Sequence, residues 1–270
     1  MRVSFVSLCV LLAFTTAFSQ SVSPASQPTP GDDLHLFLKL TGHTFTSPLR
    51  WHGRDWLLAG SVVAGTGAAS LLDQEWYDMM ARNQTSFNTG LSDVVVEYGS
   101  GYTAVGLTGG FYLAGRLFKN SWLRETGILM ASALAVSVST ETALKVIVGR
   151  ARPYTGLGRG TFKPFNGKPD FLSFPSGHTT AAFTVSTVLA ARINNTWASI
   201  GLYTLATSVA VSRMYSRDHW FSDVVFAGAL STFVGHSVVR WYEDGMPEED
   251  CTTGLRVIPA MNGVTVVWRF

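Results

Sequence analysis

Eight residues in the second half of the chain have types and spacings suited to chemistry on a charged tetrahedral group. Lys145 is followed by Arg152-Pro153, then by Ser176-Gly177-His178 behind Pro175, then by Ser212-Arg213, His219 and Asp223. A phosphoryl group in transfer spreads negative charge over its equatorial oxygens, so a catalyst must hold fixed donors and positive charge there. Lys145, Arg152 and Arg213 supply three cations, and the guanidinium fork adds bidentate geometry. Ser176-Gly177 is expected to open a helix whose first N–H groups point at an anion, with Gly177 allowing close backbone approach. His219 and Asp223 stand four apart and are expected on one helix face. The carboxylate would take the Nδ1 proton and leave Nε2 free to attack phosphorus. His178 is then the second imidazole, suited to protonate the departing oxygen. With three cations in place the chemistry requires no metal and no cofactor. A plainer reading gives Lys145 only an ion pair with Glu141, one helical turn earlier. Arg150, Arg217 and Asp218 flank the pattern and read as rim charges.

Six apolar stretches must position these residues: 56–72, 102–118, 127–148, 179–193, 197–211 and 221–239. They are apolar all round and diluted with Gly, Ala, Ser and Thr, as closely packed membrane helices are. The fold class is therefore all-α, a bundle of about six core helices, transmembrane, with a short C-terminal β-hairpin turning at Asn262-Gly263. A soluble bundle with buried helices would read similarly, because most stretches fall short of the roughly 20 residues a bilayer needs. Only 14% of the 270 residues are charged, against about 25% in soluble domains. With 17 Phe and 8 Trp, that composition excludes disorder. A net charge of +2 with no basic run excludes a nucleic-acid partner.

Residues 1–19 read as a signal peptide, 20–55 as a linker and an amphipathic interfacial segment, 56–243 as the helical domain, and 244–270 as the tail. Cleavage would leave Cys251 as the sole cysteine, which excludes a cysteine zinc site. The loop from Asp73 to Ser100 is acidic, whereas Arg50, Arg54, Arg116, Lys119 and Arg124 mark two basic segments. By the positive-inside rule the acidic loop lies outside, with the chemical residues on the same side. Six crossings from an exported Gln20 give the opposite sidedness. Either the leader is not a leader, one stretch does not cross, or the bundle is periplasmic and soluble.

The ordered patterns K-x6-R-P, P-S-G-H and S-R-x5-H-x3-D over Lys145–Asp223 resemble the type 2 phosphatidic acid phosphatase superfamily. That superfamily also includes bacterial acid phosphatases and vanadium haloperoxidases. The resemblance covers roughly the second half of the chain. It implies an all-α bundle with the site at one end, and phosphatase activity through a phosphohistidine on His219. His178 and Asp223 complete the catalytic set, and Lys145, Arg152, Arg213, Ser176 and Gly177 bind the phosphate. The implied substrate is a lipid phosphate or isoprenyl diphosphate, hydrolysed among membrane lipids of the cell envelope with the site on the periplasmic side. Three alternatives stand beside it: a periplasmic non-specific acid phosphatase acting on soluble phosphomonoesters, a vanadium-dependent haloperoxidase, and a non-enzymatic envelope protein. The loop from Tyr154 to Ser173, carrying Phe162, Phe165 and Phe171, is expected at the mouth of the site.

Overall fold

Thr29 starts the first helix with a reciprocal cap. Its hydroxyl accepts from the Asp32 N–H, and the Asp32 carboxylate accepts from the Thr29 N–H at 2.7 Å. This computed structural model describes residues 28–245 and the backbone of 254–260 and 263–269. The signal segment, both cysteines and Asn262 of the expected turn lie outside the described residues. Helix α1 (Pro30–Phe45) is more than an interfacial segment, because Asp33 near its start is buried. The Tyr112 hydroxyl donates to Asp33 at 3.1 Å, and Arg124 and Arg116 lie at 3.4 and 3.5 Å. A buried carboxylate is tolerable only when paired in this way, and the pairing ties α1 to the two helices that carry its partners.

Helices α2 (Gly53–Ser70) and α3 (Asp73–Arg82) meet at a bend of 52°. Helix α4 (Ser86–Val95) and a 3-10 turn (Val96–Gly99) follow. The acidic stretch read as a loop is thus mostly helical. Its helices are short and bury few residues, Asp73 and Met80 in α3 and Ser92 in α4, so no apolar periodicity announces them. Local capping holds them instead: the Thr85 hydroxyl accepts from the Asn88 N–H at 3.2 Å.

Helices α5 (Gly101–Leu117) and α6 (Ser121–Val148) pack against each other. Helix α6 also packs on α1 and on α7 (Gly177–Ile193). Buried residues cover α7 on every side from Thr179 to Ala190, which makes it the centre of the bundle and explains its featureless apolar pattern. Helices α8 (Thr196–Tyr215) and α9 (Phe221–Glu243) complete nine α-helices among the described residues. Met80, Ala210, Met214, Tyr215 and Val224 form a buried cluster joining α3, α8 and α9. Trp76 stacks on Phe221 beside it at 4.9 Å.

Of the six apolar stretches, α6 and α9 are long and apolar enough to cross a membrane, and α2 with α3 qualifies if the bent pair is one span. The chain divides at Val239 into two units. Within the second, Arg240 pairs with Asp244 at 3.3 Å. Strands β1 (Gly254–Ala260) and β2 (Gly263–Arg269) run antiparallel there, with Ala260 opposite Gly263.

Candidate active site

Three chain segments build the site: the end of α6 with the loop after it, the start of α7, and the joint between α8 and α9. Helix α6 ends at Gly149, whose φ of +59° is left-handed. A Cβ there would stand 2.0 Å from the Lys163 carbonyl oxygen, so only glycine lets the returning loop close on the helix end. The Lys145 ammonium has three N–H groups and three partners. It pairs with Glu141 at 2.8 Å and donates to the carbonyls of Leu172 at 3.1 Å and Pro175 at 2.7 Å. The plain ion-pair reading therefore matches its contacts, which occupy all three N–H groups within the protein. Lys145 braces the segment that leads into Ser176, and its charge still reaches both imidazoles.

Ser176 precedes α7 without capping it through its side chain. Its hydroxyl accepts from Thr179 at 3.0 Å instead, so the first N–H groups of α7 stay available to an anion. His178 occupies the second position of that helix. Burial, and then the Arg213 charge, lower its pKa to about 4. Sequence reasoning missed Gly99, which lies against this turn. A Cβ on Gly99 would stand 2.6 Å from the His178 carbonyl oxygen and 2.6 Å from Val209. Gly99→Ala is expected to destabilise the protein by about 1–3 kcal/mol through overpacking and to lower kcat by displacing His178. Thermal unfolding beside steady-state turnover checks both effects.

The α8–α9 joint departs from expectation in a way that changes one role. Helix α9 begins at Phe221, so His219 precedes it, and the four-residue spacing to Asp223 does not place the two on one helix face. His219 Nδ1 lies 3.9 Å from Asp223 Oδ2 and 2.6 Å from the Ser173 carbonyl oxygen. A carbonyl only accepts, so Nδ1 carries the proton and Nε2 is the free nitrogen. Asp223 is committed elsewhere: Oδ2 accepts the Trp220 N–H at 2.9 Å and the Ser173 hydroxyl at 2.5 Å. The first of these is the backward half of a capping box, and it draws the carboxylate toward the helix start. Ser173 is thus the partner that sequence reasoning did not find, since a backbone carbonyl leaves no mark in residue type. His219 is 3% exposed, and burial together with the three cations holds its pKa well below the usual imidazole value.

Two of the supposed rim charges are structural. Arg150 is 4% exposed, and all five of its N–H groups are used. They reach Asp73 at 2.6 Å, Asp223 at 2.5 Å, Ser222 at 2.7 Å, and the Arg159 carbonyl at 3.1 and 3.2 Å. Asp218 bridges two of the expected anion-binding groups, Arg152 at 3.2 Å and Arg213 at 2.5 Å. It fixes both guanidinium groups side by side. The remaining flanking residue, Arg217, has a φ of +59° and contributes its carbonyl, which accepts the Tyr154 N–H.

Positioned cations, an uncapped helix start and a buried imidazole with its tautomer fixed stand within one stretch. That stretch, residues 126–247, matches the model of the PAP2 superfamily. Residues 126–247 are thus similar to that superfamily and form the PAP2 segment of the chain. All eight expected site residues fall inside it, whereas Asp73 and Gly99 do not. Individual proteins are similar to the chain as well. Over 74 residues the chain is 38% identical to a lipid A 1-phosphatase of Porphyromonas gingivalis, covering 27% of this chain and 16% of that protein. Aquifex aeolicus LpxE has a similar solved structure, with a TM-score of 0.50 and 20% identity over 63% of this chain and 95% of that one. A transmembrane PAP2 type phosphatidylglycerolphosphate phosphatase from Bacillus subtilis gives 0.51 and 18% identity, over 82% and 98%. At such identities the two structures establish a shared helical fold.

Proposed function

We propose that the protein is a membrane-bound phosphatase that hydrolyses a lipid phosphate or isoprenyl diphosphate through a phosphohistidine, with its site on the periplasmic side. The observation that carries this reading is His219. Its Nδ1 is held by the Ser173 carbonyl at 2.6 Å, which leaves Nε2 as a nucleophile among Lys145, Arg152 and Arg213. Nε2 attacks phosphorus in line, the bond to the leaving oxygen breaks, and His178 gives that oxygen a proton. Water then attacks phosphorus, the P–N bond breaks, and His178 takes the water's proton. Arg152, Arg213 and the α7 N–H groups hold the equatorial oxygens throughout. Tyr154, Leu157, Phe162 and Phe165 are exposed on the loop that joins Arg152 to Ser173. Tyr154 lies against Arg152 at 6.0 Å, and exposed apolar side chains on that loop suit a phosphate attached to a lipid tail.

Phosphate release by the detergent-purified full chain, with EDTA present throughout, tests the reading. The panel is phosphatidate, undecaprenyl diphosphate, lipid A carrying its 1-phosphate, and a soluble aryl phosphate, each run beside His219→Ala. Release from a lipid that disappears in the variant is the expected result. Release from the aryl phosphate alone overturns the lipid reading, and no release at all overturns the phosphatase reading.

The proton donor has a pH signature. In the free protein His178 titrates near 4, so it is neutral at pH 7, and lowering the pH raises its protonated fraction. Burial also holds the His219 pKa well below the usual imidazole value, so the nucleophile resists the protonation that would silence it. With a lipid monophosphate, kcat/KM is therefore expected to rise as pH falls from roughly 8 to 5. His178→Asn should flatten that slope. A slope of the same size in the variant would remove His178 from the donor role.

A further inference from the structure

We propose that Asp73, which lies outside the PAP2 segment, is a positioning residue that sets the tautomer and aim of His219 through Arg150, Asp223 and Ser173. The inference rests on the phosphohistidine reading above. Asp73 is fully buried at the start of α3. Its Oδ1 accepts the Ser222 N–H at 2.8 Å, and its Oδ2 accepts the Ser222 hydroxyl at 2.9 Å and Arg150 Nη2 at 2.6 Å. From Arg150 the chain of contacts continues without a gap. Arg150 Nη1 meets Asp223 Oδ1 at 2.5 Å, Asp223 Oδ2 accepts the Ser173 hydroxyl at 2.5 Å, and the Ser173 carbonyl holds His219 Nδ1 at 2.6 Å. Against a carboxylate the Ser173 hydroxyl can only donate, and that bond pins the residue whose carbonyl accepts from His219 Nδ1, so the buried ion pairs fix where that carbonyl sits.

Charge makes the same assignment. Arg150 lies between two carboxylates, so the three groups together carry one net negative charge. When Nε2 bonds to phosphorus the imidazole ring becomes positive. A residual negative charge whose nearest oxygen is 3.9 Å from Nδ1 stabilises that ring in the transition state more than in the ground state. Without Asp73 the Arg150 charge would fully cancel Asp223. The guanidinium would also lose one of its two charged anchors, and Ser173 would be held by a carboxylate free to shift. Arg152 and Arg213 touch none of these groups directly, and the start of α7 meets only the Asp223 backbone carbonyl, through the Ser176 N–H at 3.4 Å, so phosphate binding should be spared.

The test uses the full chain in detergent, comparing wild type with Asp73→Asn and with Ser222→Ala. The second variant loosens the same contacts without removing a charge. Three quantities are read: kcat and KM on the substrate found above, the inhibition constant of inorganic phosphate, and the His219 tautomer. The tautomer comes from 15N shifts of histidine-labelled protein, assigned with His219→Ala. Asp73→Asn is expected to lose about 10–100-fold in kcat, the loss usual when an outer partner of a functional imidazole is removed. KM and the phosphate inhibition constant should stay within about twofold, Ser222→Ala should lose less in kcat, and His219 should become a mixture of tautomers. An unchanged kcat in folded protein, or kcat and phosphate affinity falling together, would overturn the proposal. So would an unchanged tautomer, which needs no substrate and therefore separates this failure from failure of the phosphatase reading.

Discussion

His219→Ala is expected to lower kcat by roughly 10⁴-fold or more, the scale seen when a covalent nucleophile is deleted. Arg152 and Arg213 are fixed donors of charge without nucleophilic lone pairs, and Lys145 has its three protons committed. His178 is the other imidazole of the candidate site, and the proposed mechanism uses it as proton donor. The imidazole is almost fully buried, so the variant also leaves the Ser173 carbonyl without its partner, at a cost of about 1–3 kcal/mol. His219→Gln separates the two effects, because its side-chain amide can still donate to Ser173 while offering no nucleophile. Both variants should lose turnover equally, with the glutamine variant unfolding at the higher temperature. Quenched-flow labelling with radioactive lipid phosphate gives an independent reading, an acid-labile, base-stable phosphoenzyme in wild type and none in either variant. Turnover above roughly 1% of wild type in His219→Gln would point to a different nucleophile.

The candidate residues stood out in the sequence by type, because three cations, two imidazoles and a small-residue helix start suit the proposed phosphoryl chemistry and have few substitutes. Their partners stood out less. The spacing of His219 and Asp223 suggested a direct contact, since four residues on a helix bring side chains together. The helix starts two residues too late for that, and the carboxylate serves the helix start instead. Ser173 acts on His219 through its backbone carbonyl, which every residue possesses. Arg150 appeared peripheral because its acidic partner Asp73 lies 77 positions away, in a stretch that read as an acidic loop. Short helices such as α3 and α4 escape notice for a related reason: they bury isolated residues and not a stripe. The central helices, by contrast, were legible as elements from continuous apolar runs, with boundaries that capping residues then adjusted. Asn120 accepts from the Leu123 N–H at 3.0 Å and starts α6 at Ser121, before the apolar run begins.

Arg150→Ala carries the largest expected effect on stability. It would strand two fully buried carboxylates, Asp73 and Asp223, and breaking a buried ion pair from one side costs about 3–5 kcal/mol. That is a large part of the roughly 5–15 kcal/mol by which a domain is stable. The anchoring extends beyond the two acids. Arg150 also holds the Arg159 carbonyl, and Arg159 in turn donates to the carbonyls of Ser70 and Leu71 at 2.8 Å, at the end of α2. Removing the guanidinium should therefore loosen the α2–α3 bend and the start of α9 together, and expose the 150–173 loop to protease. Arg150→Lys is expected to recover only part of the loss. An ammonium has three N–H groups and no planar fork, so it cannot serve both acids, Ser222 and the Arg159 carbonyl at once. The discriminating variant is Arg150→Ala combined with Asp73→Asn, which removes one of the stranded charges. If electrostatic stranding dominates, the double variant should unfold at a higher temperature than Arg150→Ala alone. If the loss comes from packing of the guanidinium on Trp220 and Phe162, which it approaches at 5.6 and 5.7 Å, the two should unfold together. Stranding is the expected outcome, since an unpaired buried charge costs more than a lost cation–π contact of about 0.5–2 kcal/mol.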